Sequence, residues 1–222
     1  DYHELDKIYG ITLVDKKNND IPYWNKKLLQ NENIKLFISE DGTSNIYNVD
    51  NTEAFIDLVL NDCGKVSIVT SDGGFDYSID YNNQEELSYQ LLFCEIYICL
   101  NVQKIGGNFI IKFFDLFNYK TIQLIYLLYN CYSEIIICKP SFSRLSNSEK
   151  YIICKGFEGI DSDKLTILKD NFQNFESIYI DVPDTFITMI NKYNQFYITN
   201  QYLEIQKIID NITNDNIINK PT

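Results

Sequence analysis

The sequence predicts an α/β protein with a largely parallel sheet. Short runs rich in β-branched and aromatic residues alternate with segments of helical period along most of the 222 residues. Hydrophobic residues make up 45% of the chain, enough to fill the core of one large domain. There is no internal repeat and no linker-like stretch.

In chain order, Tyr9–Val14 (YGITLV) and Ile34–Ser39 (IKLFIS) read as strands, with a short helix at Tyr23–Leu29 between them. Asn51–Asp62 opens on Asn-Thr and sets Phe55, Leu58 and Val59 on one helical face. Val66–Thr70 (VSIVT) is a strand that breaks into SDGGFDYS. Asn83–Gln103 is a long helix, apolar on more than one side as for a helix packed deep against a sheet, and it ends near Gly106 and Gly107. Asn108–Asp115 is a strand and Thr121–Tyr132 a helix. Glu134–Pro140 and Lys150–Phe157 are strands joined by the polar SFSRLSNSE, the shape of a hairpin or a substrate loop. Beyond Phe157 the pattern is helical, over Asp163–Phe175 and Phe186–Ile212. Residues 1–160 are thus expected to form the α/β core and 161–222 a helical extension packed on it through Phe175, Ile178, Tyr179, Phe186, Ile190 and Tyr193. Tyr197 is a candidate to stack on a base, although aromatics at these spacings more often serve a core.

Composition removes several chemistries. The single histidine, His3, leaves no Ser-His-Asp triad and no H-E-x-x-H metal site. Cys63, Cys94, Cys99, Cys131, Cys138 and Cys154 show no C-x-x-C spacing and sit mostly in apolar runs, so they read as reduced core thiols of an intracellular protein, with no metal expected. No apolar run reaches the roughly 18 to 20 residues that span a bilayer, and no signal peptide is legible, so no membrane partner is expected. A net charge of −12 argues against a general nucleic-acid-coating protein. The even richness in Asn, Ile, Tyr and Lys suggests an AT-rich genome, that of a large DNA virus or a protist. The chain opens at Asp1 without a methionine and reads as a fragment or a processed form.

One strand breaks a rule. NFIIKFFD places Lys112 among five apolar residues, and a buried ammonium needs acids nearby or the mouth of a cleft. Asp72 follows VSIVT at the carboxyl end of the preceding strand, where ligands bind in open parallel sheets. The two residues are therefore expected to be neighbours in one site, the glycines after Asp72 permitting a tight exit from the strand.

Four stretches, SDGGFD, NQEELSYQLLFCEIYICL, GGNFIIKFFDLF and KPSFSRLSNSEKYIICKGF, occur in an order and spacing that resemble the FtsJ-like ribose 2′-O-methyltransferases. The likeness covers about Tyr9 to Phe157 and is strongest to the mRNA cap-methylating branch of eukaryotes and large DNA viruses. It implies a Rossmann-like sheet with helices on both faces, S-adenosylmethionine as cofactor, and capped mRNA as substrate. That family uses a Lys-Asp-Lys-Glu tetrad, and the motifs place its acid at Asp72, its second lysine at Lys112 and its glutamate at Glu149. A ribose 2′-hydroxyl is a poor nucleophile and must lose its proton as it attacks the sulfonium methyl. A lysine can take that proton only when its amine is uncharged, which desolvation by Ile110, Ile111, Phe113 and Phe114 and a neighbouring lysine favour. Asp72 and Glu149 favour the charged form and are better cast as orienters.

By the same resemblance, the DGTSNIYN loop is expected to meet the adenosine part of the donor through Asn45 and Ile46, with Asp41 as the substitute acid, and Asp72 is counted with this cofactor set. Asn82, Ser143, Arg144 and Asn147 match substrate-contacting positions, and Arg144 suits a phosphate. Lys112, Lys139, Arg144, Lys150 and Lys155 would supply positive charge around the cleft. The family's first strand, its glycine-rich loop and its first catalytic lysine have no counterpart, so the chain is expected to start near the second strand. Other expected partners are capping enzymes or RNA polymerase, in the cytoplasm, a viral factory, a virion or the nucleus. Two further readings stay open: a degenerate scaffold of a capping complex, and a methyltransferase of ribosomal or transfer RNA.

Overall fold

The computed structural model describes residues 7–14, 24–25, 27–74, 80 and 83–218. Six strands and five helices succeed one another as β1 (Ile8–Gly10), β2 (Ile34–Leu36), α1 (Val49–Cys63), β3 (Val66–Ser71), α2 (Gln84–Val102), β4 (Gln103–Phe113), α3 (Tyr119–Cys131), β5 (Tyr132–Cys138), β6 (Lys150–Phe157), α4 (Ser162–Asp170) and α5 (Asp184–Ile218). Most elements lie where the apolar period placed them, with β1 and β2 shorter than expected and the helix expected at Asp163–Phe175 divided into α4 and a 3-10 turn at Asn171–Gln173. The helix expected at Tyr23–Leu29 is represented by a 3-10 turn at Leu28–Gln30, and Tyr23 and Lys26 lie outside the described residues.

The expected largely parallel sheet is mixed instead. β1 and β2 pair in parallel as a separate ribbon, and the main sheet runs β3-β4-β6-β5. Only β3 and β4 are parallel there; β4 with β6 and β5 with β6 are antiparallel. The reason is the connection: the 139–149 segment carries no helix to cross the sheet, so β6 returns beside β5 as a hairpin and also pairs with β4.

Pleating then sorts the side chains of β4 and β6. Phe109, Ile111, Phe113, Ile152 and Cys154 are buried on one face, which α2 and α3 cover with Phe93, Ile96, Leu100, Leu124 and Leu128. Ile110, Lys112, Tyr151 and Ile153 alternate onto the other, half-buried face. The same core continues into the C-terminal helices through Leu168, Phe172, Ile178, Phe186 and Ile190. Tyr179 and Tyr193, expected in that packing, are exposed. Cys94, Cys99, Cys131 and Cys154 are buried, Cys138 is half-buried and Cys63 is exposed at the end of α1.

Two local departures have clear causes. β4 begins at Gln103 rather than Asn108, and its register against β3 jumps from Val66–Gln103 to Ile68–Asn108. Gly106, with a φ of 77°, supports this irregularity, so the glycine pair expected to follow a helix end lies inside a strand. At α1 the cap is Asn48, whose side chain accepts from the Asp50 amide at 3.0 Å. Asn51 and Thr52 are buried and tie down the preceding loop.

Candidate active site

The parallel pairing of β3 with β4 brings Asp72, the first residue beyond β3, beside Lys112. The Lys112 ammonium lies 3.1 Å from Asp72 Oδ1 and donates to the Asp72 carbonyl at 3.0 Å. The lysine side chain is 14% exposed and the carboxylate 71%, so the pair sits at the boundary between sheet and solvent. Across the antiparallel pairing Lys112 faces Tyr151, whose hydroxyl donates to Asp72 Oδ1 at 3.2 Å and interacts with the Glu149 carboxylate. Burial, followed by the charges of Asp72 and Glu149, pushes the Tyr151 phenol up to about 12. Glu149 stands one step before β6 and accepts from the Ser143 hydroxyl at 3.3 Å. Ser143, Glu149, Tyr151, Asp72 and Lys112 thus form one polar line across three strands.

The glycines of SDGGFD serve close approach rather than an unusual backbone. Neither Gly73 nor Gly74 has a positive φ. A Cβ at Gly73 would stand 2.5 Å from Glu95 Oε1 and 2.8 Å from the Leu91 side chain, and one at Gly74 would stand 3.1 Å from Lys112 Nζ. Residues 75–79 lie outside the described residues, as do Asn82 and His3.

The 140–149 loop is held from beneath. Lys139 Nζ donates to the Asn147 carbonyl at 2.9 Å, to Asn147 Oδ1 at 2.7 Å and to the Glu149 carbonyl at 2.7 Å. Burial and the nearby charge of Lys150 lower the Lys139 pKa. Asn147 is accordingly pinned in the loop, while Arg144 is exposed, with no side-chain partner among the described residues. The cationic cluster expected around the cleft is smaller than predicted. Lys150 alternates onto the opposite face, where it donates to the Phe114 and Ser148 carbonyls at 2.9 and 2.8 Å and pairs with Asp115 at 3.0 Å. Lys155 pairs with Glu134 at 3.0 Å. Tyr197 donates to the Ile137 carbonyl at 3.2 Å and lies over Lys150, a structural engagement of the ring considered for base stacking.

The loop after β2 is a closed knot. Asp41 Oδ1 accepts from the Ser39 hydroxyl at 2.5 Å and from the Thr43 amide and hydroxyl, each at 2.9 Å; its Oδ2 accepts from Asn51 at 3.0 Å. These donors hold the carboxyl well below the usual carboxylate range. Asn45 Oδ1 accepts from the Tyr47 amide at 3.0 Å, and Ile46 packs partly buried on the core while its carbonyl accepts from Thr52 at 2.8 Å. The donor-binding residues expected here therefore fit S-adenosylmethionine unevenly: Asp41 has both oxygens engaged, whereas the exposed Asp72 carboxylate is open to a cationic ligand.

Two residues escaped the sequence reading. Tyr151 lies in NSEKYIICKGF, and only the register of β4 against β6 shows that it faces Lys112. Glu95 lies in LLFCEIYICL, a lone acid in the apolar stretch of α2. The signal that singles out Lys112 applies equally to it. Glu95 is 9% exposed, its Oε1 accepts from the Gly73 amide at 3.1 Å, and burial pushes its carboxyl up to about 8.

Comparison with known proteins shows what the chain is similar to. The cap-specific mRNA (nucleoside-2′-O-)-methyltransferase 1 of Mus musculus is 38% identical over 167 residues, covering 71% of this chain and 20% of the mouse protein. Its Homo sapiens counterpart is 42% identical over 124 residues, covering 54% of this chain and 15% of the human protein. The chain thus spans about a fifth, or less, of the length of these relatives. They are animal proteins, and the viral origin expected from composition finds no support in them. A crystal structure described as a ribosomal RNA methyltransferase of Plasmodium falciparum aligns with a TM-score of 0.45 and 24% identity, over 69% of this chain and 74% of that one. The model of the FtsJ-like methyltransferases matches residues 3–157, and the chain belongs to that family.

Proposed function

We propose that this chain carries the methyl-transfer face of an enzyme that moves a methyl group from S-adenosylmethionine to a ribose 2′-hydroxyl of capped mRNA. The observation that supports it most directly is the Asp72–Lys112 contact, completed by Tyr151 and Glu149, in a chain of this family. The cap as target rests on the names of the relatives.

When bound, the donor supplies an electrophilic methyl on a sulfonium. Lys112 would act as the general base, taking the 2′-hydroxyl proton at its Nζ so that the oxygen could accept the donor's methyl, with S-adenosylhomocysteine as the product. Asp72 fixes the direction of the Lys112 amine through two contacts, from its carboxylate and its carbonyl. Glu149 and Tyr151 orient the ribose side of the site, and Ser143 steadies Glu149. Arg144, exposed on the same loop, receives a phosphate of the RNA, and Asn147 shapes that loop. Asn45 and Ile46 are assigned to the adenosine side of the donor, with Asp41 holding their loop, and Asn82 to the RNA. Residues 161–222 act as a helical extension of the core, and capping enzymes or RNA polymerase are the proposed partners inside the cell.

The test is transfer of labelled methyl to short capped and uncapped RNAs by this chain, by any N-terminally longer form that the gene encodes, and by either with Lys112→Ala. Methylation of capped RNA that disappears with Lys112→Ala supports the reading. A folded protein that methylates neither RNA in either form overturns it and favours a scaffold in a capping complex.

A further inference from the structure

A second titratable group stands behind the Asp72–Lys112 pair. Glu95 occupies the middle of α2, where Phe93, Cys94, Ile96 and Leu100 are each at most 1% exposed. Its Oε1 receives the Gly73 amide at 3.1 Å, one residue after Asp72. The strand exit can come this close because position 73 has no side chain: a Cβ there would stand 2.5 Å from that oxygen. Among the described residues the charges that act on Glu95 are Lys112 of β4 and Asp72 beyond β3, and Cys94 is its titratable neighbour on α2.

We propose that Glu95 is a positioning residue for the Asp72–Lys112 pair, its buried carboxyl anchoring the Gly73 amide and so fixing where Asp72 meets the lysine. This rests on the methyl-transfer reading of that pair. Burial is the leading cause that raises the Glu95 carboxyl, with Asp72 adding to it and the Gly73 amide and Lys112 opposing it. With its pKa near 8 the group is mainly protonated at neutral pH. A neutral carboxyl still accepts the Gly73 hydrogen bond, and it adds no second negative charge behind the ammonium, so Lys112 answers chiefly to Asp72. The favoured protonated state is lost as pH rises through about 8, where a buried negative charge then faces Lys112.

The experiment is an NMR titration of this chain labelled at the glutamate carboxyls and the glycine amides, joined to methyl-transfer kinetics. The Gly73 amide shift is expected to follow the Glu95 titration with a midpoint near 8. Lys112→Met should move that midpoint up and Asp72→Asn should move it down, because these charges act on it with opposite signs. Glu95→Gln keeps an acceptor, so it should retain Gly73 protection and neutral-pH transfer within about threefold, whereas Glu95→Leu should exchange Gly73 faster and lower kcat about tenfold. A Gly73 amide indifferent to Glu95, or a Leu variant with wild-type transfer and protection, overturns the proposal. If the Leu variant fails to fold, the wild-type titration and the Gln variant decide. If the wild type transfers no methyl, the Gly73 measurements still decide, and the failure is that of the methyl-transfer reading.

Discussion

Lys112 and Lys150 sit at the ends of neighbouring antiparallel strands, one residue out of register with each other and on opposite faces of one sheet. Lys150 is buried with three acceptors around its nitrogen, two carbonyls and the Asp115 carboxylate. Among the described residues Lys112 is held by Asp72, whose carboxylate is largely exposed, and it faces Tyr151 across the strand pair. The difference separates a structural cation from the one proposed to carry the chemistry. A buried charge with all its hydrogens placed is a strut, while one met from a single side keeps a proton position available at the edge of a cleft.

The largest effect expected is on chemistry. Lys112→Ala should lower methyl transfer by about 10²- to 10⁴-fold, the usual contribution of a positioned base, while the protein melts close to wild type. Equal losses of transfer and stability would erase the contrast between the two lysines. Lys150→Ala should do the reverse, costing about 3–5 kcal/mol in denaturant unfolding because it leaves the half-buried Asp115 carboxylate without its cation, with transfer per folded molecule preserved. Tyr151→Phe sharpens the contrast on the open face: losing the bond to Asp72 should lower kcat by about five- to tenfold, a hydrogen bond's worth, with little change in melting.

The smallest effect concerns pH. The Asp41 carboxyl is held below the usual range by its own loop, so its stabilisation is complete above that range and is lost as pH falls toward the lowered folded value. Asp41→Asn should flatten the acid side of the melting-temperature profile and leave it unchanged near pH 7 in slope. An acid limb identical to wild type would show that the knot does not depend on that charge.

The sequence by itself determined the identity and order of the elements, because apolar period and turn residues act locally. It also singled out Lys112, since a charge that interrupts an apolar run is a local anomaly that needs a partner wherever it lands, and Asp72, since it stands at the carboxyl end of a strand. What it could not decide depends on pairing between distant segments. Whether β6 runs parallel or antiparallel beside β4 fixes Tyr151 opposite Lys112 and turns Lys150 to the other face, and a one-residue change of register would exchange them. Glu95 was legible as an anomaly but not as part of the site, because only the packing of α2 beneath the end of β3 brings it to Gly73. Asp41 shows the complementary limit: an acid in a loop reads as available, and only the fold shows Ser39, Thr43 and Asn51 donating to it.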